Sequence, residues 1–253
     1  KEFLNLPSLN DDWRKTYGVV FDLPLAFVEY FFKIGDIKNV FLLRHFLTFI
    51  LFFIGNIYFF FLIKNNTKKI IYPIIGTIIL ITTPRIFSHS FYNSRDILFL
   101  SFMVIAVFYS LNLLKTFNLK NLFLSCLFCA LATNIRVIAI YLPFLTFFFY
   151  FFRRNQKSKI TTFKFCVLFF LLYFSFIYLM WPYLWLDPFN NFIFALKEST
   201  NYPAFWNFEV LYLGRYINPE NLPWHYFFIW FLSTTPFIFL LTIIFGIYYF
   251  IKK

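Results

Sequence analysis

Residues 39–63 read NVFLLRHFLTFILFFIGNIYFFFLI, and this apolar run ends at Lys64. A helix of this length crosses the ~30 Å hydrocarbon core of a bilayer. The chain as a whole is 61% hydrophobic and only 13% charged, which is too apolar for an ordinary soluble domain. The sequence therefore predicts an all-α polytopic membrane protein.

Further apolar runs of the same kind predict about seven spans in a single transmembrane domain over 1–253. The polar residues 133–136 divide one long run into two short helices. The segment from Tyr17 to Phe32 has apolar residues at helical spacing but is too polar to cross the membrane. It therefore predicts a helix that lies in the outer membrane interface, within an outer loop over 1–38. The predicted spans are 39–63, 70–83, 97–114, the two halves of 121–152, 160–181 and 226–251. The bundle takes up 39–181, and 182–225 form an outer aromatic loop before the last span.

Charge divides between the two sides of this arrangement. All eleven acidic residues fall on one side with eleven of the 23 basic residues, so the net charge of +12 belongs to the other side. The positive-inside rule makes that side cytoplasmic. These bases lie in short loops between spans, which is not the pattern of a nucleic-acid site. They are Lys64, Lys68, Lys69, Lys115, Lys120, Arg153, Arg154, Lys157, Lys159, Lys164, Lys252 and Lys253.

The composition, with 45 Phe and abundant Ile, Asn and Lys, is typical of an AT-rich bacterial genome. We therefore expect a multi-pass protein of the bacterial inner membrane. Because the acidic side faces outward, we expect its chemistry on the periplasmic face. Residues 1–38 can reach that face only if a span before Lys1 carries them across, so we expect this sequence to be a piece of a longer chain.

The stretch PRIFSHSFYNSRD, which ends at Asp96, gathers polar side chains at the predicted outer face. Arg85 and Arg95 suit a lipid phosphate, because a planar guanidinium donates two hydrogen bonds to phosphate oxygens. Asp96 could position a nucleophile or hold a divalent metal, with His89 and Asn93 beside it. The alternative role for Asp96 is to cap the N-terminus of the span that follows.

Arg136 lies at the break between two apolar half-helices. An arginine in mid-helix costs at least ~2.5 kcal/mol to insert, and a phosphate or carboxylate partner would offset that cost. The alternative is that Arg136 snorkels to water at the outer interface. In the loop 182–225, the many Trp and Tyr residues are typical of a membrane-anchoring belt, although aromatic faces also stack on sugar rings.

Ordered short segments over nearly the whole chain carry a resemblance to a known family. They are Tyr17–Asp22, Arg44-His45, Pro84–Ile86, Ser90–Asp96, Trp181–Trp185, Leu222–Tyr226 and Thr234–Pro236. Their order and spacing resemble the polyprenyl-phosphate-dependent glycosyltransferases of family 39 type. That group has the GT-C membrane fold and includes protein O-mannosyltransferases and lipid A aminoarabinose transferases.

The resemblance implies inverting transfer of a sugar from a lipid-phosphate donor at the outer face. In that family an acid in the first outer loop is the catalytic base, and a second acid in the next outer loop supports metal, donor phosphate or acceptor. Asp96 matches the second position. Asp11 and Asp12 lie in the first loop, but closer to Tyr17 than the family acid is expected, so we expect the base upstream of Lys1. The family's later spans and C-terminal region are also expected beyond this sequence.

The polar residues and the family resemblance together define a predicted site. Its catalytic candidates are Asp96, Asp11 and Asp12, and a divalent metal at Asp96 is the candidate cofactor. The predicted partners are a polyprenyl-phosphate-linked sugar donor, an acceptor and the membrane lipids. The predicted contacts to the donor phosphate are Arg85, Arg95, Arg136, His89 and Asn93.

Two other functions stay open. A transporter or flippase of a lipid-linked or anionic substrate places charges near mid-membrane on broken helices, and only Arg136 and the break at 133–136 come close to that. A catalytically inactive or truncated homologue acting as a membrane scaffold is the third possibility.

Overall fold

A computed structural model describes residues 17–152, 159–200 and 209–252. Within these ranges the chain is almost entirely helical, with one two-stranded hairpin, so the predicted all-α class is confirmed. The helices are α1 (Asp22–Phe31), α2 (Ile37–Lys64), α3 (Ile71–Thr82), α4 (Pro84–His89), α5 (Ser94–Lys115), α6 (Leu119–Ile135), α7 (Tyr141–Phe152), α8 (Lys159–Met180), α9 (Pro188–Thr200), α10 (Tyr226–Thr234) and α11 (Phe237–Lys252).

Two of these helices, α2 and α5, are long and apolar enough to cross a membrane. Their 28 and 22 residues correspond to about 42 and 33 Å at 1.5 Å per residue. On α2, the side chains of Phe41, Phe46 and Phe53 are more than half exposed. A long helix with large apolar side chains on its outer face is suited to lipid rather than to water.

The remaining apolar helices are shorter, and the last predicted span is bent. The described part of the chain has four shorter apolar segments, and α10 and α11 would form one further span only as a bent pair, with 111° between their axes. Pro236 lies at the bend. Proline lacks an amide N–H and keeps the preceding residue out of the helical region, and Thr235 is extended accordingly (φ −95°, ψ 127°). The continuous span predicted over 226–251 is therefore replaced by two helices.

The break predicted at 133–136 is confirmed. Helix α6 ends at Ile135, and Arg136 is extended (φ −142°, ψ 114°) before a 3-10 turn, Val137–Ile140, that leads into α7. The predicted interfacial helix, in contrast, begins later than expected. Residues 17–20 are not helical, and two of their backbone N–H groups bond to the ends of other helices: Gly18 to the Asn134 oxygen and Val19 to the Met180 oxygen.

The two predicted outer loops contain regular structure. The stretch from Pro84 to Asp96 forms α4 and the start of α5, whereas 182–225 holds a 3-10 turn (Pro182–Trp185), α9 and a hairpin. The hairpin pairs β1 (Val210–Tyr212) with β2 (Arg215–Ile217). Its two-residue turn has positive φ at Leu213 (49°) and Gly214 (81°), the backbone that matches the twist of paired strands.

Asp187 explains where α9 begins. Its carboxylate accepts hydrogen bonds from the side-chain Nδ2 of Asn190 (2.7 Å) and from the Asn190 backbone N–H (3.2 Å). These bonds to Asn190 favour the charged form and hold the pKa of Asp187 below its ordinary value. The carboxylate therefore serves as a cap at the helix N-terminus.

The bundle is a row of packed helices in which α3 contacts α2, α2 contacts α5, α5 contacts α6 and α6 contacts α8. Gly55 lets α2 approach α5 closely, because an added Cβ would lie 2.7 Å from Ser101 Oγ. Small residues at such contacts are typical of membrane helices. Buried hydroxyls add a polar link between α6 and α8, where Thr133 and Tyr173 are hydrogen-bonded at 2.9 Å.

Contacts between helix ends define two ends of the bundle. At one end, Lys115 Nζ donates to the backbone oxygen of Asn65 (2.9 Å) and to Asn66 Oδ1 (3.0 Å), which joins the C-termini of α2 and α5. At the other end, the Gly18 N–H donates to the backbone oxygen of Asn134 (2.8 Å) near the C-terminus of α6. The N-terminus of α5 also lies at this second end, and so do most of the predicted site residues.

Candidate functional site

Asp96 lies in the first turn of α5 at the centre of a polar network. One of its carboxylate oxygens accepts a hydrogen bond from the Arg136 guanidinium, and the other accepts one from Asn93 Nδ2 at 2.9 Å. The same Nδ2 lies 2.8 Å from His89 Nδ1. Four predicted site residues, three before or at the start of α5 and one after α6, therefore meet in one place.

Asn93, rather than Asp96, caps α5. The side-chain oxygen of Asn93 accepts a hydrogen bond from the Asp96 backbone N–H at 3.1 Å. The capping role suggested for Asp96 therefore belongs to its neighbour, and the Asp96 carboxylate is left to bond with Arg136. Its negative charge at a helix N-terminus is also favoured by the helix dipole.

Arg95 lies next to a pocket rather than in the Asp96 network. Its guanidinium carbon is 4.1 Å from the centroid of the Tyr17 ring, which is a stacking contact. The pocket has a volume of about 140 Å³. We call it the Asn134 pocket, and it is lined by Tyr17, Gly18, Phe21, Asp22, Ser94, Arg95, Asn134 and Ile135.

Asn134 is fully buried in the wall of this pocket and is only half satisfied. Its Nδ2 donates to the backbone oxygen of Ala130 at 2.9 Å, whereas its Oδ1 has no hydrogen-bond partner. A Cβ added to Gly18 would lie 2.1 Å from that Oδ1, so only glycine fits there. The polar break in the sequence included Asn134, but no role was predicted for it. The sequence signal that could have drawn attention to Asn134 is an amide side chain within an apolar helical run.

Arg44 joins α1 to α2 beside the pocket. Its Nε lies 3.0 Å from Glu29 Oε1, and its Nη1 lies 3.5 Å from Asp22 Oδ1. Because Asp22 also lines the Asn134 pocket, this pair of contacts holds a pocket carboxylate in position. The resemblance segments Tyr17–Asp22 and Arg44-His45 thus include residues that lie at the same end of the bundle.

Other predicted site residues are not part of this group. Arg85 stacks on Trp230 of α10, with 4.0 Å between the guanidinium carbon and the ring centroid. Within the described ranges, no hydrogen bond, ion pair or ring contact joins it to Asp96. Asp11 and Asp12 lie outside the residues that the structure describes.

The residues around Asp96 do not fit a divalent metal. Calcium and magnesium need several oxygen ligands. In the part of the chain that the structure covers, no three His, Cys, Asp or Glu side chains converge. The two groups bonded to the Asp96 carboxylate, the Arg136 guanidinium and the Asn93 Nδ2, are hydrogen-bond donors and offer a cation no lone pair. The chemistry of this site is therefore that of a carboxylate, guanidinium groups, an amide and an imidazole.

The arrangement can act on a substrate that carries both a hydroxyl and a negative charge. A carboxylate within hydrogen-bond reach of a hydroxyl can accept its proton. Guanidinium groups nearby can stabilise a phosphate as negative charge develops on it. Comparison of the chain with protein-family models, with curated proteins and with solved structures finds no match.

Proposed function

We propose that the chain is a membrane glycosyltransferase that moves a sugar from a polyprenyl-phosphate donor to an acceptor at the periplasmic face of a bacterial inner membrane. The proposal includes a GT-C-type fold of about seven spans. The long helices α2 and α5 would cross directly. Shorter apolar helices such as α3, with its 12 residues, would cross where the bilayer is locally thinner.

One observation supports this function above others: Asp96 and Arg136 meet at the end of a long apolar helix although they lie 40 residues apart. Their side chains are 51% and 35% exposed, so a substrate can reach them. Lipid phosphates lie at the ends of membrane-spanning helices. An acid and an arginine held together there suit a reaction on a lipid-linked phosphate.

The proposed reaction is an inverting transfer. The acceptor hydroxyl attacks the anomeric carbon of the sugar while the bond from that carbon to the phosphate oxygen breaks. The hydroxyl proton passes to a carboxylate, for which Asp96 is the candidate within the described chain. Arg136 and Arg95 would stabilise the negative charge on the departing polyprenyl phosphate. Asn93 would orient Asp96 through their hydrogen bond.

A transporter or flippase of a lipid-linked or anionic substrate is the second candidate. The observation that favours it is the interruption between α6 and α7, where the backbone of Arg136 is extended. A transport site near mid-membrane would use such a break. The pairing of Arg136 with Asp96 in the first turn of α5 favours the transferase, because it lies at a helix end.

The test is label transfer in membranes from cells that produce the chain. A panel of radiolabelled polyprenyl-phosphate sugars is supplied, and label is measured in the lipid and protein fractions. Asp96→Asn keeps the size of the side chain but removes the carboxylate, and we expect about 10²–10⁴-fold less transfer. Glu220→Gln is the matched control, because Glu220 is an exposed carboxylate in a 3-10 turn, Pro219–Asn221. Transfer that is unchanged in Asp96→Asn, or absent with every donor, would contradict the proposal.

A further inference from the structure

We infer that His89 is a positioning residue for Asp96: its neutral imidazole accepts a hydrogen bond from Asn93 and thereby holds the Asn93 amide on the Asp96 carboxylate. The consequence for sugar transfer rests on the proposed function. The arrangement itself rests only on the contacts among these three side chains.

The backbone at the start of α5 fixes which way the Asn93 amide points. The Asn93 Oδ1 lies 3.1 Å from the backbone N of Asp96, and a backbone N–H can only donate, so the amide atom facing it is the oxygen. The other end of the amide is therefore the NH2 group, which has two hydrogens to donate. One of them goes to an oxygen of the Asp96 carboxylate, which lies 2.9 Å from Nδ2.

The second hydrogen of the Asn93 amide determines the form of His89. The Asn93 Nδ2 lies 2.8 Å from the Nδ1 atom of His89. Because Nδ2 donates, Nδ1 must accept, and an imidazole nitrogen accepts only when it carries no proton. His89 is therefore neutral in this arrangement, with its hydrogen on Nε2.

Protonation of His89 would break the arrangement. An imidazolium has an N–H on both nitrogens, so two donors would face each other at Nδ1. Turning the Asn93 amide over does not relieve the conflict, because its NH2 group would then face the Asp96 backbone N–H. Without Asn93, the Asp96 carboxylate can turn both oxygens to the Arg136 guanidinium, the two-bond geometry that arginine favours. A base must lie within hydrogen-bond reach of the hydroxyl, so a carboxylate that has turned away is a poorer base.

The charges around His89 act in opposite directions. Helix α4 contacts α3, α5 and, through Arg85 and Trp230, α10. Asp96 would attract a charged His89, whereas Arg85 and Arg95 would repel it. Because these effects oppose each other, we expect the hydrogen bond from Asn93 to favour the neutral form. The ionisable groups on α3, α4, α10, the turn before α5 and the first turn of α5 are, besides His89, Tyr72, Arg85, Tyr92, Arg95, Asp96 and Tyr226.

Position 89 allows a matched pair of substitutions. In His89→Asn, the side-chain oxygen takes the place of Nδ1, two bonds from Cβ, and keeps an acceptor that does not titrate. His89→Leu has the same branched shape as His89→Asn but no acceptor. His225→Gln is the control for loss of an imidazole elsewhere, because His225 contacts the rings of Tyr212 and Trp224.

The first experiment measures transfer from the polyprenyl-phosphate sugar that gives the most label, between about pH 8 and pH 5, where histidine ordinarily changes charge. At the alkaline end we expect His89→Asn to lie within about twofold of the wild type and His89→Leu to be about fivefold lower in kcat, which corresponds to one neutral hydrogen bond. As the pH falls, wild-type transfer should decrease relative to His89→Asn and approach that of His89→Leu. His225→Gln should follow the wild type at every pH.

Three results of this experiment would overturn the positioning role. A rise in the donor KM of His89→Leu at unchanged kcat would make His89 a direct contact of the donor phosphate. The role is also wrong if His89→Leu transfers like the wild type, or if the wild type and His89→Asn have the same pH profile.

The second experiment observes the imidazole directly and needs no transfer. The chain has three histidines, so the full protein, labelled with 15N-histidine and purified in detergent, gives three imidazoles by NMR. His45→Gln and His225→Gln assign them. At about pH 8, we expect the His89 Nδ1 to be unprotonated and its signal to shift in Asn93→Ala, while the signals of the other two histidines stay in place. A proton on Nδ1, or no shift in Asn93→Ala, would overturn the inference even if the variants at position 89 fail to fold.

Failure of this arrangement and failure of the proposed function give different results. Asp96-dependent transfer that does not respond to substitution of His89 would remove the positioning role and leave the transferase. An Asn93-dependent signal from His89, without transfer from any donor, would remove the transferase and leave the contact between the two side chains.

Discussion

The two ends of the helical bundle carry charge in different ways. At the end with the Asn134 pocket, arginines meet carboxylates: Arg136 pairs with Asp96, and Arg44 pairs with Glu29 and Asp22. At the other end, Lys115 donates to a backbone carbonyl and to an amide of the turn after α2. The first end has ion pairs in defined geometry, whereas the second has a cation with neutral partners. Positive charge can therefore organise a site at one end and simply orient helices at the other.

The arginines at the first end and the lysines at the second also make different contacts with aromatic rings. Arginine has a planar group that stacks and bonds in fixed directions, whereas lysine is a hydrated point charge. At the site end, Arg95 stacks on Tyr17 and Arg85 on Trp230, with about 4 Å from guanidinium carbon to ring centroid. At the opposite end, where Lys115 lies and which we call the lysine end, Lys64 lies 5.8 Å from the centroid of the Phe61 ring.

The largest expected effect comes from breaking the ion pair at the site. Arg136→Ala should lower sugar transfer about 100-fold, because it removes charge stabilisation of the leaving phosphate. The free energy of unfolding should change by less than about 1 kcal/mol, because both side chains are partly exposed. Transfer assays and denaturation in detergent measure the two quantities on the same preparation.

Arg136→Lys is the informative control for that variant. It keeps the charge but not the planar fork, so transfer should fall between the wild type and Arg136→Ala. If Arg136→Ala left transfer unchanged but greatly lowered the free energy of unfolding, the Arg136–Asp96 pair would have a structural role only. The proposed difference in function between the two ends would then be wrong.

A smaller effect is expected where α1 joins α2. Arg44→Gln breaks the contacts to Glu29 and Asp22, and we expect a loss of about 0.5–1 kcal/mol, because the Arg44 side chain is 36% exposed. A double-mutant cycle with Glu29→Gln isolates the coupling between the two residues. Hydrogen exchange in α1 should rise in Arg44→Gln, and additive effects in the cycle would show that the ion pair does not hold α1.

The smallest effect is expected at the lysine end. Lys115→Ala removes hydrogen bonds to neutral partners on the surface, so the free energy of unfolding should fall by less than about 0.5 kcal/mol. Transfer should be unchanged. A loss of transfer comparable to that of Arg136→Ala would show that both ends take part in function.

Much of the helical pattern could be predicted because apolar length and polar breaks are local signals. The span predicted over 97–114 matches α5, and the break at 133–136 matches the extended Arg136 between α6 and the turn before α7. The bend at Pro236 was missed although proline is a local signal. The apolar run continues through it, and a proline in a membrane helix can be tolerated.

The site was predictable in its charged residues and not in its shape. Asp96, Asn93 and His89 are neighbours in sequence, so their proximity follows from the start of α5. The contact of Arg136 with Asp96 depends on how α5 packs against α6, which no local pattern reveals. The close approach of Gly18 to Asn134 was missed for the same reason.

The hairpin after α9 has a practical consequence for experiments on this chain. Its turn at Leu213-Gly214 is exposed, and a side chain built at Gly214 would meet nothing within 4 Å. Exposed turn tips of this kind accept inserted peptides with little disturbance. An epitope inserted there would be reached by antibody only from the side of the membrane on which the hairpin lies, so intact cells and opened vesicles would report the orientation of the whole bundle.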